Sequence, residues 1–293
     1  MRRLPSEPEY LRNKRIQREA DKILKRRIFI LCVDLVIVAV CLAFLFFKLS
    51  PFVEEIKYKT NDIDCGIYNI DYKYGAGVYF ECGDSNAMID SGSEGHSDEL
   101  LRFIKSQEIK KLDYLLISDV NTEYIKILGE LLSFVEIKKV IIPVCDESLY
   151  SIYDELLLAN GKSLSSAKSI PYFPVNEMKF QIADTETMSC QVVFGNNSFL
   201  IYNFIDENDE LEIINSKPYL DSDVLILLNA NLPCDNFLEL VSPETVILNC
   251  KQNFDFNLSS VEKFSEYIYR TDINGNIIVK SDEVDIEIEC EKQ

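Results

Sequence analysis

Residues 112–124 read LDYLLISDVNTEY. The first half, Leu112 to Ile117, is a short unbroken apolar run of the kind buried on both faces of a sheet. The second half changes period. Tyr124, Ile127, Leu128, Leu131, Leu132 and Val135 fall at helical spacing and form one apolar stripe that would pack on that sheet. A strand, a polar turn and an amphipathic helix thus follow one another, and the pattern recurs on either side. Residues 139–144 (KVIIPV), 224–228 (VLILL) and 245–250 (TVILNC) are strand-like runs of the same kind. Leu149, Ile152, Tyr153, Leu156 and Leu157 repeat the helical stripe, with Gly161 placed to stop the helix. Leu100, Leu101 and Ile104 suggest a further helix before Leu112.

Outward from this alternation the character changes. Residues 66–72, 77–82 and 86–89 read as short strands joined by Gly, Asp, Ser and Asn, which predicts an antiparallel meander. Near the other end, residues 267–270 and 276–279 flank Asn274-Gly275, a dipeptide suited to a tight primed turn, and predict a β-hairpin. Strands first and strand–helix alternation afterwards predict one α/β sandwich.

The chain has 293 residues, 47% of them hydrophobic, enough to bury a core. Its net charge of -19 conceals two regions of opposite sign. Residues 1–27 carry +6, Asp34 stands alone in an apolar stretch, and residues 48–293 carry -24. Between them, residues 28–47 read IFILCVDLVIVAVCLAFLFF, which as a helix would rise about 30 Å, the hydrocarbon thickness of a bilayer. No small-residue cleavage pattern follows, so the expectation is an uncleaved transmembrane helix rather than a signal peptide. Positive charge precedes the span, which predicts a cytoplasmic amino terminus and an extracytoplasmic domain in the cell membrane. The expected organisation is a basic cytoplasmic segment (1–27), a transmembrane helix (28–47), a juxtamembrane linker (48–64) and the outer domain (65–290). Seven cysteines outside the span, with no C-x-x-C, argue against a cysteine zinc site; Cys145 and Cys250 read as core residues, and no disulfide pair is assigned.

Several of these pieces, in this order, resemble the metallo-β-lactamase fold, and specifically the soluble domain of the ComEC family of competence DNA-uptake proteins. The family's opening D-V-G-Q-G-D-A corresponds to Asp71 to Gly77, and its L-I-D-T-G to Met88-Ile89-Asp90-Ser91-Gly92. Its D-Y-L-I-L-T-H-x-H-x-D-H corresponds to residues 113–124, and Tyr269 to Asp272 with Asn274-Gly275 resembles its closing Y-R-T-D-x-x-G. The resemblance implies an αββα sandwich and a metal-dependent phosphodiesterase-like hydrolase.

The departures fall on the metal ligands. The positions of H-x-H-x-D-H read Asp119, Asn121, Glu123 and Tyr124, and that of H-H-G-S begins at Asn229. The family's T-G-D falls near Tyr202-Asn203-Phe204, without a carboxylate in register. The chain has one histidine, His96, which matches none of the family's ligands. A zinc site is therefore not expected. Asp119, Asn121 and Glu123 are alternating oxygen donors that would suit Ca²⁺ or Mg²⁺, but the same residues serve a helix start as caps, and that is the preferred reading. Asp90 has a turn role before Gly92. The expectation is a catalytically degenerate, membrane-anchored protein that binds an unidentified protein partner. The alternative is a hydrolase with an altered oxygen-ligand site, linked to DNA uptake. An outer domain near -24 opposes nucleic-acid binding, although Lys105, Lys110, Lys111, Lys138 and Lys139 offer a local basic patch.

Overall fold

The structure is a computed structural model that describes residues 65–71, 77–90, 97–118, 120–203, 207–216, 220–228, 232–250 and 257–292. The segment at 28–47 lies outside them; among the described residues no helix is long and apolar enough to cross a membrane.

The meander forms as strands β1 (Cys65–Ile70), β2 (Gly77–Cys82) and β3 (Ser85–Asp90), each antiparallel to the next. After helix α1 (Ser97–Ser106) the pairing turns parallel through β4 (Lys111–Ile117), β5 (Glu136–Ile142) and the short β6 (Leu164–Ser166). Helices α2 (Thr122–Leu132) and α3 (Glu147–Ala159) make the crossovers. A second sheet repeats the plan. Strands β7 (Tyr172–Val175), β8 (Met178–Ile182), β9 (Cys190–Phe194) and β10 (Asn197–Tyr202) are antiparallel, and β10, β11 (Val224–Leu227), β12 (Thr245–Leu248) and β13 (Tyr267–Arg270) are parallel. Helices α4 (Glu207–Ser216), α5 (Asp235–Val241) and α6 (Ser259–Phe264) connect these last strands.

Side-chain alternation then sorts the apolar residues into three layers. Residues such as Ile67, Phe80, Ile89 and Leu116 of the first sheet meet Phe180, Val192, Ile201 and Ile226 of the second in a shared core. The opposite face of the first sheet packs under α1, α2 and α3, where Leu100, Tyr124, Leu128 and Tyr153 are fully covered. The opposite face of the second packs under α4, α5 and α6 through Ile213, Phe237, Leu238 and Val261. The result is an αββα sandwich. Gly161, at φ +70, follows α3 as its stop, and the Lys162 amide returns to the Leu157 carbonyl at 2.8 Å.

Two expectations are corrected. Residues 267–270 and 276–279 do not form a hairpin: β13 pairs with β12 in the second sheet, whereas β14 (Ile277–Ser281) pairs with β1 in the first. A one-turn helix α7 (Thr271–Asn274) carries the chain across, and the Asn-Gly pair closes that turn instead of a primed one. The Asn274 side-chain oxygen accepts from the Arg270 amide at 2.9 Å, and the Gly275 amide donates to the Thr271 carbonyl. The physical reason is burial: Ile277 and Val279 belong to the core between the sheets, which only a place beside β1 provides. Secondly, Cys145 is half-buried rather than part of the core, while Cys250 is buried as read. Cys65 and Cys82, opposite each other on β1 and β2, form a disulfide that the sequence alone did not assign. The first sheet ends in β15 (Ile286–Cys290), antiparallel to β14.

Phe180 anchors the shared core, with its ring 4.9 Å from both Phe80 and Phe173. Phe180→Ala should lower unfolding free energy by about 3–5 kcal/mol in urea titration; a loss below about 1 kcal/mol would contradict this packing. Gly195, at φ +58, lies so close to the Glu283 backbone that a Cβ would overlap it. Gly195→Ala should therefore destabilise by more than about 1 kcal/mol.

Candidate functional site

In sheets with parallel strands, ligands are held beyond the carboxyl ends, where successive loops converge. Both sheets have such an end, and hydrogen bonds place the two together. The Val144 amide, just past β5, donates to the Thr185 carbonyl at 2.8 Å in the β8–β9 connection. In that connection the Ser189 hydroxyl accepts from the Asn203 amide at 3.0 Å, just past β10, and the Asn203 side-chain amide donates to the Thr187 carbonyl at 3.0 Å. Pairing registers carry the same edge along each sheet, from Asp90 to Ile117 in the first and from Tyr202 through Leu227 and Leu248 to Arg270 in the second.

Alternation decides which side chains face the space between the sheets. In β4, Tyr114 and Leu116 face inward, so Ser118 follows them, 5% exposed. In β12, Ile247 faces inward while Leu248 and Cys250 pack under the helices, which turns Asn249 inward. The floor at this edge thus collects Ser118, Thr187, Ser189, Asn203, Asn249 and Thr271, all uncharged. Thr187 and Ser189 share a hydroxyl–hydroxyl bond of 2.8 Å, and Thr187 donates to Asp184 at 2.7 Å. Asn249 differs. It is 1% exposed, and among the described residues neither its amide oxygen nor its amide nitrogen has a hydrogen-bond partner. Leaving such groups unsatisfied costs about 1–3 kcal/mol each, and an amide can both donate and accept.

Beside this floor, β12 and β13 are tied by a denser cluster. The Cys250 amide donates to the Thr271 hydroxyl at 3.1 Å, the Cys250 thiol donates to Asp272 at 3.0 Å, and Arg270 grips Asp272 through Nε at 3.0 Å and Nη2 at 2.8 Å. Burial opposes the Asp272 charge, but the Arg270 and Cys250 donors outweigh it and hold the carboxyl below its usual range. Burial, with Asp272 adding to it, pushes the Cys250 thiol up to about 11, which leaves it a poor nucleophile at neutral pH.

The residues singled out from the sequence fare differently. Asp119, Asn229 and His96, and the side chains of Asp90 and Glu123, lie outside the described residues. Asn121 is engaged as a helix cap: its side-chain oxygen accepts from the Tyr124 amide at 2.9 Å, and its carbonyl accepts from the Tyr153 hydroxyl at 2.7 Å. Tyr124 is fully buried between α2 and the first sheet, away from the space between the sheets. Of the lysines read as a basic patch, Lys111 and Lys138 bracket the buried Asp113 at 3.0 and 2.6 Å, and Lys105 lies 5.3 Å from the Phe134 ring centre. Asn249 and Ser189 belong to no motif in the sequence, where their signal is a small polar residue directly beside an apolar strand; Thr271 stands within the Tyr269 to Asp272 motif, which marked no site residue.

No family model matches the chain, and no curated protein matches it. Solved structures do. The metallo-β-lactamase fold protein YhfI from Bacillus subtilis superposes with a TM-score of 0.52 at 12% identity, covering 74% of this chain and 100% of its own. The chain has the metallo-β-lactamase fold. A diphosphatase of the PhnP family (TM-score 0.42, 11% identity, 71% of this chain and 95% of its own) is also similar. So is a metal-dependent hydrolase of the β-lactamase superfamily (TM-score 0.40, 14% identity, with the same coverage). A metal ion at this edge would need charged or imidazole donors. Zinc takes imidazole, thiolate and carboxylate, whereas Ser118, Asn203, Asn249 and Thr271 offer neutral hydroxyls and amides, and the Cys250 thiol and Asp272 carboxylate beside them are hydrogen-bonded to each other, and Asp272 to Arg270. Among the described residues no three His, Cys, Asp or Glu side chains gather closely enough to hold a metal ion.

The lowered Asp272 carboxyl predicts a pH dependence. A group whose folded pKa lies below its unfolded value contributes stability above the unfolded pKa, about 4, and loses it as pH falls further. Unfolding midpoints should hold between pH 7 and about 5 and fall below about pH 4. Asp272→Asn should lose less on acidification than wild type; an equal acid loss in both would show that this ion pair does not contribute.

Proposed function

We propose that this chain is a catalytically degenerate, membrane-anchored protein of the metallo-β-lactamase fold, whose edge between the two sheets binds a neutral polar group instead of hydrolysing a substrate. The observation that carries this reading is Asn249, a buried amide with donor and acceptor both unmet among the described residues, set in a floor of hydroxyls and amides. Hydrolysis in this fold depends on metal-bound hydroxide, and a chain with one histidine cannot supply the family's imidazole set. An amide is suited to recognition instead, since it meets a peptide group or a carboxamide with one bond in each direction. The Asn121 oxygen accepts from the Tyr124 amide, which supports the helix-cap reading of that residue over the oxygen-ligand alternative. The apolar run at 28–47 and the basic residues before it support the anchor and an extracytoplasmic domain. The order of the motifs supports kinship with ComEC-type proteins, and the acidic outer region supports a protein partner over nucleic acid.

The test uses the purified full-length chain, dialysed in turn against Zn²⁺, Mn²⁺, Mg²⁺ and Ca²⁺ and assayed for bound metal by elemental mass spectrometry. Clearly substoichiometric metal is expected throughout, with phosphodiester hydrolysis at background. Near-stoichiometric Zn²⁺ or Mn²⁺ would overturn the degenerate reading. Asn249→Leu should raise stability by about 1 kcal/mol or more, because it removes two unmet polar atoms and adds apolar contact. A loss of stability would mean that the amide is already satisfied, and the binding role would fall with it.

A further inference from the structure

The sandwich is open along one side. In the first sheet β15 pairs only with β14, and in the second β13 pairs only with β12, so both present a free main-chain edge among the described residues. Between these two edges runs a groove of about 330 Å³ whose walls include Tyr267, Tyr269, Ile286 and Ile288. Tyr269, Ile286 and Ile288 turn toward the core between the sheets without being closed over, and Tyr267 is 45% exposed.

The rim of this groove is acidic. Glu244 and Glu266 stand exposed at the starts of β12 and β13, and Asp223 lines the groove beside Glu244. No lysine or arginine lines the groove among the described residues, and the cations on the neighbouring strands are paired: Lys280 with Glu289 at 2.5 Å and Arg270 with Asp272 at 2.8 Å. Tyr267 feels the same field, since a hydrogen bond to Glu266 and the charges of Glu266 and Glu244 hold its hydroxyl pKa above the usual range. Free strand edges are ordinarily protected by charge; β15 carries Glu287 and Glu289 on the face turned away from the slot, whereas Glu244 and Glu266 stand at the slot's rim.

We propose that the groove between β13 and β15 docks an extended segment of a partner protein in which lysine or arginine alternates with apolar residues. Strand addition to β13 supplies the main-chain bonds, the apolar side chains enter between Tyr267, Tyr269, Ile286 and Ile288, and the cations meet Glu244 and Glu266. A second copy of this chain is disfavoured as occupant, because pairing one β15 with another would bring Glu287 and Glu289 of both copies together. The inference stands apart from the Asn249 site and does not depend on it.

The experiment measures binding of two probe peptides to the full-length chain, one alternating lysine with valine and one alternating glutamate with valine. The lysine peptide should bind more tightly, and raised salt should weaken it. Glu244→Lys combined with Glu266→Lys should weaken it by about tenfold or more. Glu155→Lys with Glu186→Lys, on other exposed surface, should leave it unchanged, with thermal unfolding confirming that all variants fold. Equal binding of the two peptides, or binding indifferent to the Glu244 and Glu266 reversals, would overturn the proposal. Two further results would also overturn it. Binding seen only after removal of residues 1–27 would make the chain's own basic segment the occupant. Self-association abolished by the same reversals would make it a second copy.

Discussion

The apolar layer shared by the two sheets is the constraint on which the rest of the molecule depends. Phe173, Phe180 and Phe80 follow one another at 4.9 Å, and Tyr114 joins them with its ring 4.5 Å from Phe173. Rings from opposite sheets interlock there, so neither sheet can slide without opening the interior. That lock also sets the chemistry. With the two sheets aligned, the carboxyl ends of β4 and β5 come to lie beside those of β10 to β13, and one edge receives the inward-facing residue that ends each strand. What those residues are then decides what the edge can do.

Much of this architecture was legible in the sequence because burial writes itself as period. LDYLLI and VLILL are continuous because both faces of their strands are covered, and the stripe from Tyr124 to Val135 is helical because one face packs on a sheet. The hairpin expected around Asn274-Gly275 was misread for an equally physical reason. Local turn chemistry is the same whether the flanking strands pair with each other or part into two sheets, and only the burial of Ile277 and Val279 beside distant β1 distinguishes the cases. The disulfide was hidden likewise: seven scattered cysteines allow many pairings, and only the β1–β2 register sets Cys65 opposite Cys82.

The candidate site was less legible than the fold. Motif spacing pointed to the positions where the fold's metal ligands would fall, and among these Asn121 proves to be a helix cap and Tyr124 a core residue. Asn249 carried no motif at all. It stands out only once the alternation of β12 shows that its amide turns inward, into a layer where its neighbours are apolar or already bonded. Missing chemistry shows in a sequence as missing residue types, whereas an unmet polar group is visible only in three dimensions.

The placing of β14 has a consequence for how the chain comes to be folded. β1 lies between β2 and β14, and its partner Ser281 stands opposite Cys65 although nearly the whole domain separates them in sequence. A ribosome releases β1 and β2 before β14, so the other flank of β1 stays bare until β14 emerges. The first sheet is thus completed late, by a contact of long sequence separation of the kind that slows folding. Until then the flank of β1 is an open strand edge in the nascent chain.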